Sequence, residues 1–419
     1  MKLKIEKLIY GGYGLVRTED KVVFVKGGVP GDELSVNITE EKKSFDIAEI
    51  DEILKPSEYR VEPECEYFGN CGGCKWQHID YEYQLRAKEQ IIKESLERIA
   101  GIADCHAEPI IASSNRYDYR GRVMLHVDTI RGKHVVGFKE EKSDDLVPVS
   151  HCKISLQNIS ELIKKISKFL GKYNAKTLPI DKVFVSDFGS IPALTLSPKR
   201  NSSPEGLVKL YYYLKERIQG ADISLDGKDE KSFEFKVLGI KYISSPSVFA
   251  QANSDINEKL IKTLLKWADL KKEENVLDLY CGYGNFSLHL ARKAKYVLGI
   301  DSNKKAIRFA IKNAKLNSVR NCRFEDWDVK KYLQRHKPAE GLDLVVLDPP
   351  RTGAKEIIKS VISLDPKKIL YVSCNPTTLA RDLKELISAG YKFKKIQPFD
   401  MFPQTFHIES LTLLQKELE

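Results

Sequence analysis

Asn275-Val-Leu-Asp278-Leu-Tyr280-Cys-Gly282-Tyr-Gly284-Asn285-Phe-Ser-Leu-His-Leu-Ala291 is an apolar run, a glycine turn and an amphipathic segment in immediate succession. That order reads as strand, tight turn and helix. A second apolar run, Tyr296 to Ile300, ends in Asp301, an acid at the tip of a second strand. In a doubly wound sheet an acid there binds ribose hydroxyls. A dinucleotide fingerprint would need a third glycine where Ser287 stands, so a pyrophosphate loses its closest backbone approach. Leu342-Asp-Leu-Val-Val-Leu347 is apolar throughout, as a central parallel strand is, and ends in Asp348-Pro349-Pro350-Arg351-Thr352-Gly353. Ile369 to Cys374 is a fourth such run, followed by Asn375 as helix cap and Pro376 at the first helical position.

Cys374 therefore stands just outside a helix N-terminus, where the helix dipole favours the thiolate. The competing reading is a small buried hydrophobe. Downstream, Glu409 interrupts an apolar closing strand, with His407 two residues earlier on the same face. A carboxylate in such a strand should have a raised pKa, which suits a base working near neutrality. Its competing reading is a solvated edge charge.

The glycine turn resembles the S-adenosylmethionine loop of class I methyltransferases. The acid and two prolines at 348–350 resemble the substrate-base corner of many nucleic-acid methyltransferases. Exocyclic-amine methyltransferases carry an aromatic residue after the prolines, where Arg351 stands. RNA cytosine-C5 methyltransferases carry a cysteine in this motif, and none lies between Cys322 and Cys374. Ser373-Cys374-Asn375-Pro376, Phe402-Pro-Gln-Thr-Phe-His-Ile-Glu409 and Phe249-Ala-Gln251-Ala-Asn253 complete the pattern. In order along nearly the whole chain, these motifs are similar to the RlmD/TrmA family of RNA uracil-C5 methyltransferases.

The resemblance implies Cys374 as the nucleophile and Glu409 as the base. It also implies Gln251, Tyr280, Asn285, Asp301 and Asp348 as ligands of S-adenosylmethionine. Asp328 is read either as a contact to the adenine edge or as a loop acid. Phe249 either stacks on an extruded base or belongs to the core. The chemistry needs these residue types. C5 of uracil is a poor nucleophile until a thiolate adds to C6, and a base must then remove the C5 proton before the thiolate can leave.

Cys65, Cys71 and Cys74 cluster around two glycines, and Cys152 follows far downstream. The remaining Cys105, Cys281, Cys322 and Cys374 argue against a paired disulfide framework. From spacing alone, zinc (with His78 or His151 as further ligands) and an iron–sulfur cluster stay equally open. The family resemblance implies a [4Fe-4S] cluster on Cys65, Cys71, Cys74 and Cys152. A radical enzyme would need an open iron held by three cysteines, and a fourth ligand and a separate cofactor loop speak against one.

Residues 1–55 alternate short strands with glycine turns and read as a small closed β-barrel. It resembles a TRAM domain, an OB-like RNA-binding module. Residues 56–245 read as an α+β domain bearing the cysteines. Tyr81, Leu85, Ile92, Leu96 and Ile99 mark one long helix, and Ile159 to Phe169 mark the one basic helix among the strands that follow. Lys199 to Pro204 read as a loop. Residues 246–419 are read as the Rossmann-like class I methyltransferase domain that the resemblance implies.

Net charge is +9 over 419 residues, which suits a polyanionic partner. No stretch spans a membrane, the first residues lack a signal-peptide core, and unpaired thiols point to a reducing cytoplasm. The expected partner is RNA, not DNA and not a membrane. Barrel and cluster together imply 23S ribosomal RNA for a bacterial source, with the T-loop uridine of tRNA as the alternative. A non-catalytic RNA-binding assembly factor is the reading from another class.

Overall fold

In the computed structural model, every residue is described except 104, 106, 142, 190, 227–231, 337–340 and 417–419. The first lobe is built from β1 (Lys2–Lys4), β2 (Lys7–Leu8), β3 (Tyr13–Arg17), β4 (Val22–Lys26), β5 (Glu33–Glu41) and β6 (Phe45–Lys55). Their order across the sheet is β1-β5-β6-β4-β3-β2. β1 and β2 are halves of one bent strand. At the bend the amides of Ile5 and Glu6 bond Asp32 O and Leu15 O, so the sheet closes on itself. Ile5, Val16, Val23, Val25, Leu34, Val36 and Ala48 fill the barrel. Gly14 is obligatory here, since a Cβ would lie 2.8 Å from Ile5 and 2.9 Å from Gly28 O.

The middle lobe opens with α1 (Tyr81–Ser95), which runs into a π turn over Leu96–Ala100. A six-stranded sheet follows, made of β7 (Arg122–Ile130), β8 (Lys133–Lys139), β9 (Leu146–Pro148), β10 (Ile180–Ser186), β11 (Ala193–Pro198) and β12 (Asp222–Leu225). Two helices, α2 (Gln157–Leu170) and α3 (Pro204–Arg217), bury Ile159, Ile163, Ile166, Leu210 and Leu214 in the core shared with this sheet. The second helix corrects the expectation of a single one. The segment read as a loop ends in its cap, where Ser203 Oγ accepts Gly206 N and Pro204 takes the first turn.

The last lobe begins with the hairpin β13 (Phe233–Val237) and β14 (Ile240–Ser244), then α4 (Ser254–Ala268). The alternating series follows: β15 (Asn275–Leu279), α5 (Ser287–Ala291), β16 (Tyr296–Asp301), α6 (Lys304–Leu316), β17 (Cys322–Asp326), α7 (Val329–Arg335), β18 (Leu344–Leu347), α8 (Ile358–Ser363), β19 (Lys368–Ser373), α9 (Pro376–Ser388), β20 (Tyr391–Phe399) and β21 (Glu409–Lys416). The strands lie in the order β17-β16-β15-β18-β19-β21-β20. Only β21 runs against its neighbours, so its first residue returns to the edge where the parallel strands end. Strand order reverses between β15 and β18, which places the ligand crevice at their carboxyl ends.

The barrel is not tethered at a distance. Leu8 and Val29 share a core with Trp76, Ile79 and one face of the large sheet. Among the described residues, no helix is long and apolar enough to cross a membrane.

Candidate active site

β15, β16, β18 and β19 end, respectively, just before Tyr280, at Asp301, just before Asp348 and just before Cys374. The antiparallel register of β19 on β21 ends with Ser373 paired to Ser410, and Cys374 and Glu409 are the next residues out, near enough that the Glu409 charge acts on the thiol. The nucleophile and base expected from sequence thus meet at the sheet edge, although 35 residues separate them (409 − 374).

Their electrostatics are partly as expected. Burial holds the Glu409 carboxyl well above the usual range, with Asp348 adding to the rise and Arg351 opposing it. The solvated-charge reading of Glu409 is excluded, since it is only 5% exposed. The expected dipole-stabilised thiolate is not found. Burial, Glu409 and Asp348 push the Cys374 thiol up to about 12, against Arg351. The helix offers it little, because Asn375 Oδ1 takes the first amides of α9, Thr377 N at 3.0 Å and Thr378 N at 3.4 Å. Asp348 itself is raised to about 7 by burial and by Asp278 and Asp301. His407 was expected to share a strand with Glu409 and does not. It lies in the loop before β21, its Nε2 accepting from Arg351 Nη2 at 3.1 Å. Burial and Arg351 push its imidazole down to about 3, so it is neutral.

On the cofactor side, Tyr280 (φ 68°), Gly282 (φ 56°) and Gly284 (φ 88°) all take left-handed backbone. A Cβ at 284 would come within 3.0 Å of Phe324, so the turn lies tight on the sheet. Asp301 Oδ2 accepts Gly282 N at 2.9 Å and its Oδ1 accepts Asn303 N at 2.7 Å, fixing turn and helix cap together. Tyr280 is pushed up to about 12 by burial and by the charge of Asp328. Asp328 is exposed and also caps α7 through Lys331 N at 3.0 Å. Asn285 exchanges amide bonds with Asn257 (2.9 and 3.1 Å) and accepts Tyr283 Oη at 3.1 Å. Gln251, Asn257 and Tyr283 line a cavity of about 280 Å³ nearby. A carboxylate at a strand tip, a left-handed turn and buried amides fit an adenosyl group. Phe249 is 62% exposed, which removes its core reading.

Sequence reasoning missed Tyr10, whose Oη donates to Cys374 O at 3.1 Å from the barrel. It noted Arg351 only as an exclusion, although its charge reaches Cys374, Glu409 and His407. No local pattern announces either contact.

Cys65, Cys71, Cys74 and Cys152 line one cavity of about 280 Å³, with His151 on its wall. His78 faces the neighbouring cavity instead. All eight cysteines are free thiols. Burial and the neighbouring thiols raise Cys65 and Cys71, and push Cys74 up to about 12. Among the described residues, no three Cys, His, Asp or Glu side chains converge closely enough to hold one metal ion. A zinc site needs four ligands at about 2.0–2.3 Å, whereas these thiols surround a space. Gly72 is required beside it, for a Cβ would lie 2.8 Å from Lys139 O. A cavity walled by four thiols and tight backbone has the donors and the room for a metal group.

Over 421 residues, covering 99% of this chain and 95% of the relative, the sequence is 34% identical to the 23S rRNA (uracil(1939)-C(5))-methyltransferase RlmD of Vibrio campbellii. The chain belongs to the RlmD-like family of RNA uracil-C5 methyltransferases. An RNA methyltransferase of Aquifex aeolicus is 36% identical, over 99% of this chain and 98% of that one. The tRNA (Uracil-5-)-methyltransferase family matches residues 214–417. The crystal structure of Pyrococcus abyssi tRNA (uracil-54, C5)-methyltransferase, in complex with S-adenosyl-L-homocysteine, superposes with a TM-score of 0.74. It is 25% identical and covers 99% of this chain and 100% of its own. The last lobe has the class I methyltransferase fold of this RlmD-like family.

Proposed function

We propose that the protein methylates C5 of a uridine in 23S ribosomal RNA through a covalent adduct on Cys374. The observation that carries this is Cys374 set near the buried carboxyl of Glu409 at the crevice edge. Bound S-adenosylmethionine supplies an electrophilic methyl group. Cys374 gives up its thiol proton to solvent and adds as thiolate to C6 of the uracil, which makes C5 nucleophilic enough to take that methyl. Glu409 then accepts the C5 proton, the thiolate leaves C6, and the C5–C6 double bond re-forms. A carboxyl pushed up by burial is suited to receive that proton near neutrality. Arg351 opposes the burial at both groups and favours their charged forms. Gln251, Tyr280, Asn285, Asp301 and Asp348 would hold the cofactor, with Asp328 at the adenine edge.

The barrel, with its bent first strand closing a sheet of OB-like order, supports reading residues 1–55 as a TRAM-type RNA-binding module. Cys65, Cys71, Cys74 and Cys152 would hold a [4Fe-4S] cluster, and methyl transfer draws no electrons from it. Eight cysteines with no disulfide among them suit a reducing cytoplasm. A scaffold without catalysis has no use for a thiol and a buried carboxyl set near each other, a costly arrangement. The tRNA reading keeps one supporting observation, the full-length likeness to the archaeal tRNA enzyme. Incubating the protein with labelled S-adenosylmethionine and either 23S rRNA or tRNA, then mapping 5-methyluridine by mass spectrometry, tests the proposal. A single site in 23S rRNA is expected; methylation of tRNA alone would overturn the substrate, and no 5-methyluridine would overturn the chemistry.

A further inference from the structure

The turn between β2 and β3, Ile9–Gly12, leaves the barrel and presses on the catalytic corner. Tyr10 Oη donates to Cys374 O at 3.1 Å. The Tyr10 ring stands edge-on to Phe406, with centroids 5.3 Å apart at 90°. Gly12 (φ 91°) is so close that a Cβ would lie 3.1 Å from Phe406 and 3.4 Å from Lys75. The turn is held from behind, by Lys7 paired with Glu94 of α1 at 2.5 Å and by Leu8 in the shared core.

The carbonyl of Cys374 lies past the last strand pair, Ser373 with Ser410, and before the first peptide of α9. Beyond the ladder and before the helix, that carbonyl is held by the Tyr10 hydroxyl. Fixing that peptide plane fixes the direction in which the Cys374 side chain leaves the backbone, and a reacting group must be held to within about 0.5 Å. Burial, with Cys374 and Glu409 nearby, pushes the Tyr10 phenol up to about 12, so it remains a hydrogen-bond donor at working pH.

We infer that Tyr10 is a positioning residue for the catalytic cysteine, so that the N-terminal barrel completes the methyltransferase site as well as binding RNA. The inference rests on the proposed role of Cys374, and its test keeps the two apart. Tyr10→Phe is compared with wild type and with Tyr13→Phe, whose ring sits against Phe24 on the same barrel. Two rates are read: single-turnover methyl transfer to RNA, and alkylation of Cys374 by iodoacetamide without RNA, followed by peptide mass spectrometry. If wild type makes no 5-methyluridine the proposed function fails, and alkylation still decides the part played by Tyr10.

Tyr10→Phe is expected to slow methyl transfer about tenfold and to change Cys374 alkylation at least about threefold. Melting temperature should equal that of wild type, the affinities for RNA and S-adenosylhomocysteine should stay within about twofold of it, and Tyr13→Phe should match wild type in both rates. Phe406→Leu, which loosens the ring against which Tyr10 is set, should move the same two rates in the same direction. Both rates unchanged in Tyr10→Phe and Phe406→Leu, or a loss confined to RNA affinity, would overturn the inference.

Discussion

Burial raises Asp278, Asp348 and Glu409; the Asp278 charge adds to the rise of Asp348, and the Asp348 charge to that of Glu409. For Glu409 the rise serves proton transfer, and for Asp348 it leaves a group near 7 at the crevice. Asp278 is buried, with Ser287 Oγ bonded to one oxygen and no partner for the other among the described residues, and it is pushed up to about 7 mainly by burial. A folded-state pKa above the unfolded one stabilises the protein below about 4, and that contribution is lost as pH rises through about 7. Asp278→Asn keeps an acceptor for Ser287 and removes the titration. Its melting temperature should gain on that of wild type between pH 5 and pH 8, by an increment worth roughly 2–3 kcal/mol. Thermal melts of both proteins across that range check the sign. A gap that shrinks with rising pH would show that Asp278 is not the strained group.

Helix α1 ties the middle lobe to the catalytic loop through a pair of charges that no water reaches. Lys88 Nζ donates to Asp400 Oδ1 at 2.5 Å, and Tyr81 Oη donates to Asp400 Oδ2 at 2.7 Å. Removing one partner strands the other, so Lys88→Met should cost about 3–5 kcal/mol in a denaturant melt. Lys88→Met with Asp400→Leu should recover most of that loss; no recovery would mean the pair acts through something other than charge. The face of α1 was legible because Tyr81, Leu85 and Ile92 recur at helical spacing, and all three are buried. Lys88 was not, since a lysine on a helix is usually solvated and Asp400 lies far away in sequence. The large sheet was legible for a related reason: the Val276–Leu279 and Leu344–Leu347 runs are buried on both faces and need no partner to be recognised. Helix α3 was missed because Ser202, Ser203 and Pro204 signal a loop as readily as a cap, and only packing against Leu207, Leu210 and Leu214 decides. His407 was placed on a strand because alternation alone cannot show that the ladder starts at Glu409.

All three lobes converge on the corner around Cys374. The barrel reaches it through Tyr10, and the cysteine lobe through Lys75 N and Trp76 N, which donate to Gln404 O at 3.1 and 3.0 Å. Protein purified without oxygen should be brown and contain iron and acid-labile sulfide. Cys65→Ala, Cys71→Ala, Cys74→Ala and Cys152→Ala should each bleach it, and Cys105→Ala should not. Colourless protein with stoichiometric zinc would replace the cluster and leave the catalytic account standing. That account rests on an order of events, with Cys374 acting first and Glu409 last, so the two losses should differ. Cys374→Ala and Glu409→Gln are each incubated with substrate RNA and methyl-labelled S-adenosylmethionine, then run on a denaturing gel. Glu409→Gln should give a labelled protein–RNA band that ribonuclease collapses, because the C5 proton stays and the thiolate cannot leave; Cys374→Ala should give neither band nor product. Normal turnover by Glu409→Gln, or methylated RNA from Cys374→Ala, would contradict the mechanism.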